Sequence, residues 1–198
     1  TRAGTDAAGL LDAAEQHYRH VLRLDVSHRE SLIGLGNVYR LRGDAAAAAQ
    51  QYKQAADSHP AHPDAWANLA DLAFEMGDYG MAATALQQVV TLEPFESEAF
   101  RRLGDALASG GDLARASQAY ERACELDPTA VGARYNLAEV LRVRADGAAS
   151  ASETDLAVRF WTRALAAYRQ VLQQAGDYRN ARQQETVLQQ RLAEAGTR

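Results

Sequence analysis

Two histidine pairs and one cysteine are the residues whose types could support metal or thiol chemistry. His17 and His20 stand one helical turn apart, and His59 and His62 flank a turn at Pro60. A structural zinc takes four ligands and a catalytic one three, and neither pair has a Cys or acidic cluster spaced to complete a set. Cys124, the single cysteine, follows Ala123 and reads as a packed small residue; alone it cannot close an internal disulfide. No phosphate-cradling glycine loop, nucleophile elbow or zinc-protease motif occurs, and Gly110-Gly111 reads as a helix end. No catalytic residue, metal or cofactor is expected. The chemistry left is hydrogen bonding by amides, carboxylates and guanidinium groups on helix faces.

The elements that would position those groups recur with a period of 34 residues. In 100–128, Phe100, Leu103-Gly104, Gly111-Asp112, Ala116, Tyr120 and Pro128 set the pattern. One period earlier stand Trp66, Leu69-Ala70, Gly77-Asp78, Ala82, Leu86 and Pro94, and two periods earlier Leu32, Leu35-Gly36, Gly43-Asp44, Ala48, Tyr52 and Pro60. Self-similarity at one period decides architecture ahead of any propensity. Each period reads as a first amphipathic helix stopped by Gly in the left-handed conformation, then a second helix capped by Asp and ended before proline. Gly43, Gly77 and Gly111 are therefore expected at positive φ.

These residues resemble the tetratricopeptide repeat family, closely over 29–143 and loosely over most of the rest. The resemblance implies an all-α, right-handed α-solenoid of stacked helix-turn-helix repeats. Each repeat buries its apolar face on its neighbours. It also implies binding of a protein or peptide, with the first helices lining a concave groove.

In order, residues 1–9 read as loose and 10–24 as the second helix of a half-repeat, the whole forming an N-terminal cap over 1–28. Complete repeats follow at 29–62, 63–96 and 97–130, with helix pairs near 30–42 and 45–58, 64–76 and 79–92, and 98–109 and 112–126. The fourth repeat, 131–176, starts with a helix near 131–144. Then 144–154 carries small residues without apolar period, and this insertion is expected to be the most mobile internal segment. A lengthened second helix near 152–174 carries Phe160 and Trp161. Ala164, Tyr168 and Val171 match Ala116, Tyr120 and Ala123 if about fourteen residues have been inserted. A capping helix near 178–195, within 177–198, closes the chain.

The first-helix faces not used for packing offer Asn37 and Arg40, then Asn68 and Asp71, then Arg101, Arg102 and Asp105, then Tyr135, Asn136 and Glu139. These are the candidate partner-binding residues, with Asn37, Asn68, Arg102 and Asn136 expected to share the concave surface. An amide both donates and accepts, so asparagine suits a peptide backbone. Phe160 and Trp161 are a secondary candidate surface. Some members of the family hold a C-terminal carboxylate with two asparagines and three basic residues. Asn37, Asn68 and Arg102 match three of those places, but Ile33 and Glu98 fill the other two, and Glu98 would repel a carboxylate.

The net charge of −5 is spread over interspersed acids and bases, with no long basic run. Nucleic acid is not expected as a ligand, and no apolar run is long enough to insert in a membrane. The chain begins without Met, which suggests a segment of a longer protein. The expectation is a protein-binding scaffold, not an enzyme. The alternatives are a structural spacer or self-assembly segment of a longer repeat protein, or a regulatory domain of an enzyme elsewhere in the parent chain.

Overall fold

A computed structural model describes residues 2–176 and 178–196. Among the described residues there are ten α-helices and no strand. They fall in two compact units, Thr1–Pro94 and Phe95–Arg198. The first holds α1 (Arg2–Leu24), α2 (Arg29–Leu41), α3 (Ala45–Ser58), α4 (Pro63–Glu75) and α5 (Tyr79–Leu92). The second holds α6 (Ser97–Ser109), α7 (Leu113–Leu126), α8 (Val131–Ser150), α9 (Thr154–Ala175) and α10 (Ala181–Gly196). Within each unit every helix packs on the next in sequence, and the first helices of successive repeats also touch, α2 with α4 and α6 with α8.

The hairpins α2–α3, α4–α5 and α6–α7 share one turn. Gly43, Gly77 and Gly111 take φ of 80°, 74° and 86°, as the pattern predicts. In each, the following Asp donates its N–H five residues back, to Tyr39, Ala73 or Leu107, at 2.9 Å. The glycine N–H bonds three residues back, which completes a Schellman motif and satisfies the last carbonyls of the first helix. The side chains of Asp44, Asp78 and Asp112 then accept from the amides of Ala47, Met81 and Arg115, at 2.9 to 3.0 Å. Those three amides would otherwise be orphans of the second helix.

Close backbone approach explains the small residues. Ala48, Ala82, Ala116 and Ala164 are fully buried in their hairpins. Gly36 and Gly104 make room for a ring: a Cβ would lie 2.5 Å from the Tyr52 ring at Gly36 and 2.6 Å from the Tyr120 ring at Gly104.

Two sequence expectations are corrected. Residues 2–9 are helical and belong to α1; alanines at 3, 7 and 8 favour helix, and single glycines do not stop it. Thr1 lies outside the described residues. The segment 144–153 is not a loop, since α8 runs to Ser150 and buries Ala145 and Ala148 beside Leu141. These three residues share one helix face by their spacing.

The inserted residues are instead divided between the two helices. Ser152 takes the left-handed place of the repeat glycine, at φ 63°, and Glu153 donates five residues back to Ala148 at 2.9 Å. Ser152 lies 41 residues after Gly111, seven beyond the period, whereas Ala164 lies 48 after Ala116, fourteen beyond. Each helix has thus gained seven residues, close to two turns, so both keep their faces in register. The hairpin keeps its turn and grows in length, to 20 residues in α8 and 22 in α9.

Candidate functional site

The first-helix faces are polar, and their side chains are fastened to the fold. In the first unit the Asn37 Oδ1 accepts the hydroxyl of Tyr52 at 2.6 Å. Arg40 reaches from α2 to Glu75 of α4, with Nε 3.0 Å from Oε2. Asn68 is half-buried and donates to the Asp64 carbonyl of its own helix at 2.7 Å. Asp71 is half-buried on the same helix.

The second unit repeats the scheme with carboxylates. Asp105 Oδ1 accepts from the Tyr120 hydroxyl at 2.7 Å and from the Asn136 amide at 2.9 Å, which joins α6, α7 and α8. Arg101 pairs with Glu98 and with the other oxygen of Asp105. Glu139 accepts from the Tyr168 hydroxyl and from Arg142. Burial pushes the Tyr120 and Tyr168 phenols far above the usual tyrosine range, and the carboxylate each donates to adds to the shift. Both phenols are therefore locked as donors. At Glu139 burial works against the charge, but the bonds from Tyr168 and Arg142 outweigh it and hold the carboxyl below its ordinary value.

Asn37, Asp71, Asp105 and Glu139 thus form one column at the 34-residue period. Three of the four serve as acceptors for a core tyrosine of their own repeat. A sequence signal for this existed. Tyr52 and Tyr120 each follow their acceptor by 15 residues, and Tyr168 follows Glu139 by 29, the same spacing plus the fourteen inserted residues.

The remaining candidates are placed differently. Arg102 is half-buried on α6. Tyr135 is only 6% exposed, packed edge-on against Tyr168 and Tyr178, with its hydroxyl bonded to Asn180. Trp161 is 8% exposed and donates its Nε1 to Asp146 at 3.0 Å, so it belongs to the core of the long hairpin and not to an open surface. Phe160 is half-buried, with the Arg144 guanidinium 4.2 Å from its ring centre. The histidines serve local structure: His28 caps α2 through the Ser31 amide, and His59 lies 2.6 Å from the Ser27 carbonyl. Cys124 is half-buried, and burial pushes its thiol up, away from the reactive thiolate.

A cleft of about 450 Å³ opens between α8, α9 and α10, lined by Asp146, Ser150, Thr154, Trp161, Arg191 and Glu194 among others. Among the described residues no helix is long and apolar enough to cross a membrane.

Known proteins were compared with the chain. Two family models, each described as a tetratricopeptide repeat, match residues 29–72 and 67–131, together more than half of the chain. No protein of curated function matches the sequence significantly. Among solved structures, pilF of Pseudomonas aeruginosa is 20% identical over 98% of this chain and 85% of its own, with a TM-score of 0.64. YrrB, described as a tetratricopeptide protein with an unusual peptide-binding site, is 23% identical over 85% of this chain and 84% of its own, at 0.60. The first tetratricopeptide domain of Spaghetti (RPAP3), solved with an HSP90 peptide, is 27% identical over 57% of this chain and 89% of its own, at 0.51.

Proposed function

Because the chain belongs to the tetratricopeptide repeat family, we propose that it binds a segment of a partner protein along the polar faces of its first helices. Those faces lie on α2 and α4 in one unit and on α6 and α8 in the other. The observation that carries this reading is the fastening of Asp105 by Tyr120 and Asn136. Half-buried polar groups held in place before a ligand arrives lose little freedom on binding it, and lost freedom is the main cost of association. The peptide-binding site of YrrB and the HSP90 peptide bound to the Spaghetti domain support a recognition role for a chain of this fold. The function proposed is recognition, with the amides of Asn68 and Asn136 and the guanidinium of Arg102 as contacts to the partner.

A displayed library of random peptides, selected on the whole chain, supplies ligands for the test. Replacing Asn68 and Arg102 together by Ala is expected to weaken a selected peptide by about 1–3 kcal/mol, the cost of lost hydrogen bonds in a binding site. Folding should change little, since the packing set of each repeat is untouched. Equal binding by the double variant, or a library that yields no ligand, would overturn the proposal in favour of a spacer role.

A further inference from the structure

The short connection between α9 and α10 places a cation on the face of α8. The Arg179 guanidinium carbon lies 4.8 Å from the Tyr135 ring centre and 5.2 Å from that of Tyr178. Its Nη1 stands 3.5 Å from Asn136 Oδ1. The orientation of that amide is not free. Asn136 spends its Nδ2 on Asp105 at 2.9 Å, so its oxygen must face the guanidinium. Asn180 accepts the Tyr135 hydroxyl and holds the first ring in place. Together two aromatic faces and one aimed carbonyl oxygen make a cradle whose geometry suits a flat, delocalised cation. A guanidinium can stack on the rings while donating in its plane to the oxygen, and it is more weakly hydrated than an ammonium, so the cradle favours it.

Arg179 itself is held there at a conformational cost. Its φ is 52°, in the left-handed region that residues with a Cβ seldom occupy. The residue lies in a turn closed by the Ala181 N–H donating to the Tyr178 carbonyl at 3.1 Å, and that turn aims its side chain at α8. The residues it covers, Tyr135 and Asn136, lie on the face read above as the partner surface.

We infer that Tyr135, Asn136 and Tyr178 form a subsite for an arginine side chain of the partner segment, filled in the free protein by Arg179 as an internal competitor. The inference rests on the proposed function, because it assigns chemistry to one stretch of that surface. Binding would exchange one guanidinium for another, with the partner's supplied by a chain already anchored elsewhere on the face.

The test uses the whole chain with acetyl-arginine amide as probe and acetyl-lysine amide as control. Binding is followed through the side-chain amide resonance of Asn136. Arg179→Gly empties the cradle and suits the local φ. This variant is expected to bind the arginine probe at least tenfold more tightly than the parent chain and to show no saturable response to the lysine probe. Arg179→Gln, which keeps a long side chain without the charge, should behave in the same direction and covers the case in which the glycine variant loosens α10. Adding Asn136→Leu to either variant should abolish saturable arginine binding, followed in these variants through the backbone amide resonance of Tyr135. Equal arginine binding by parent and both variants, or lysine binding as well as arginine, would overturn the subsite. Peptides selected from the random library without arginine would also overturn it while leaving the proposed function standing. A library that yields no ligand at all would overturn the proposed function, and with it the assignment of the cradle to a partner.

Discussion

The second and third repeats are built to one plan, and one of their buried differences reaches the polar face of the first helix. Where the third repeat has Gly104 and Tyr120, the second has Ala70 and Leu86, and all are buried. Tyr120 needs two concessions from its surroundings. Gly104 gives space to the ring, and Asp105 gives an acceptor to the hydroxyl. Leu86 needs neither, and it has no hydroxyl to offer Asp71. A core choice therefore decides what a neighbouring face residue is for. Asp105 is turned inward to serve the core, whereas Leu86, in the tyrosine's place, makes no such demand on the equivalent Asp71. The first repeat sides with the third, through Gly36, Tyr52 and Asn37. The fourth keeps its buried Tyr168 with Ala138 in the glycine's place, so the tight approach belongs to the two short tyrosine hairpins.

The largest effect should come from putting the second repeat's residue into the third. A Cβ at Gly104 would meet the Tyr120 ring at 2.6 Å, and overpacking of this kind costs about 1–3 kcal/mol. Gly104→Ala is expected to lose about that much in denaturant unfolding, and adding Tyr120→Leu should restore most of it. A double variant no more stable than the single one would break the comparison.

Next comes the acceptor. Asp105→Ala leaves a buried phenol and the Asn136 amide without a partner, for an expected loss of about 1–3 kcal/mol. Asp71→Ala should cost clearly less, under about 1 kcal/mol, as a half-buried residue whose repeat has Leu86 in place of the core tyrosine. Thermal unfolding of the two variants side by side decides the matter, and equal losses would show that the tyrosine is not what separates the repeats.

The smallest effect is a control on the shared turn. Gly77→Val and Gly111→Val each force a β-branched residue to φ near 74° or 86°, in space that is otherwise open around both glycines. Each should lose about 1 kcal/mol or somewhat more, and by similar amounts. Losses that differ strongly between the two would mean that the repeats diverge beyond their tyrosine position.

Much of this was legible in the sequence, and for a physical reason. Helix faces, glycine stops and aspartate caps obey local rules that repeat at a fixed spacing, so α2 to α7 fall within a residue or two of their expected bounds. The long hairpin escaped because its turn uses Ser152 and Glu153 where the others use Gly and Asp, and because Ala145 and Ala148 carry little apolar signal. The candidate face was legible as a column of polar residues. Its inward bonds showed only as a spacing of 15 between two columns on different helices, which the periodicity of a single helix does not pick out. Tyr135 shares its place in the period with Ile33, Ala67 and Arg101, which are only half-buried. Its burial comes from Tyr178, which lies in a connection that no period describes.

The tyrosine–glycine pairs also bear on how such a chain can change its copy number. Gly36 with Tyr52, and Gly104 with Tyr120, each lie inside one 34-residue cassette that ends near a proline, Pro60 or Pro128. Duplicating or deleting a cassette moves the ring and its clearance together. The Tyr18–Gly34 contact and the Asn136–Asp105 bond cross a cassette boundary instead. An exchange of cassettes would separate those partners, so the junctions, and not the cassettes, are where a rearranged chain would have to evolve anew.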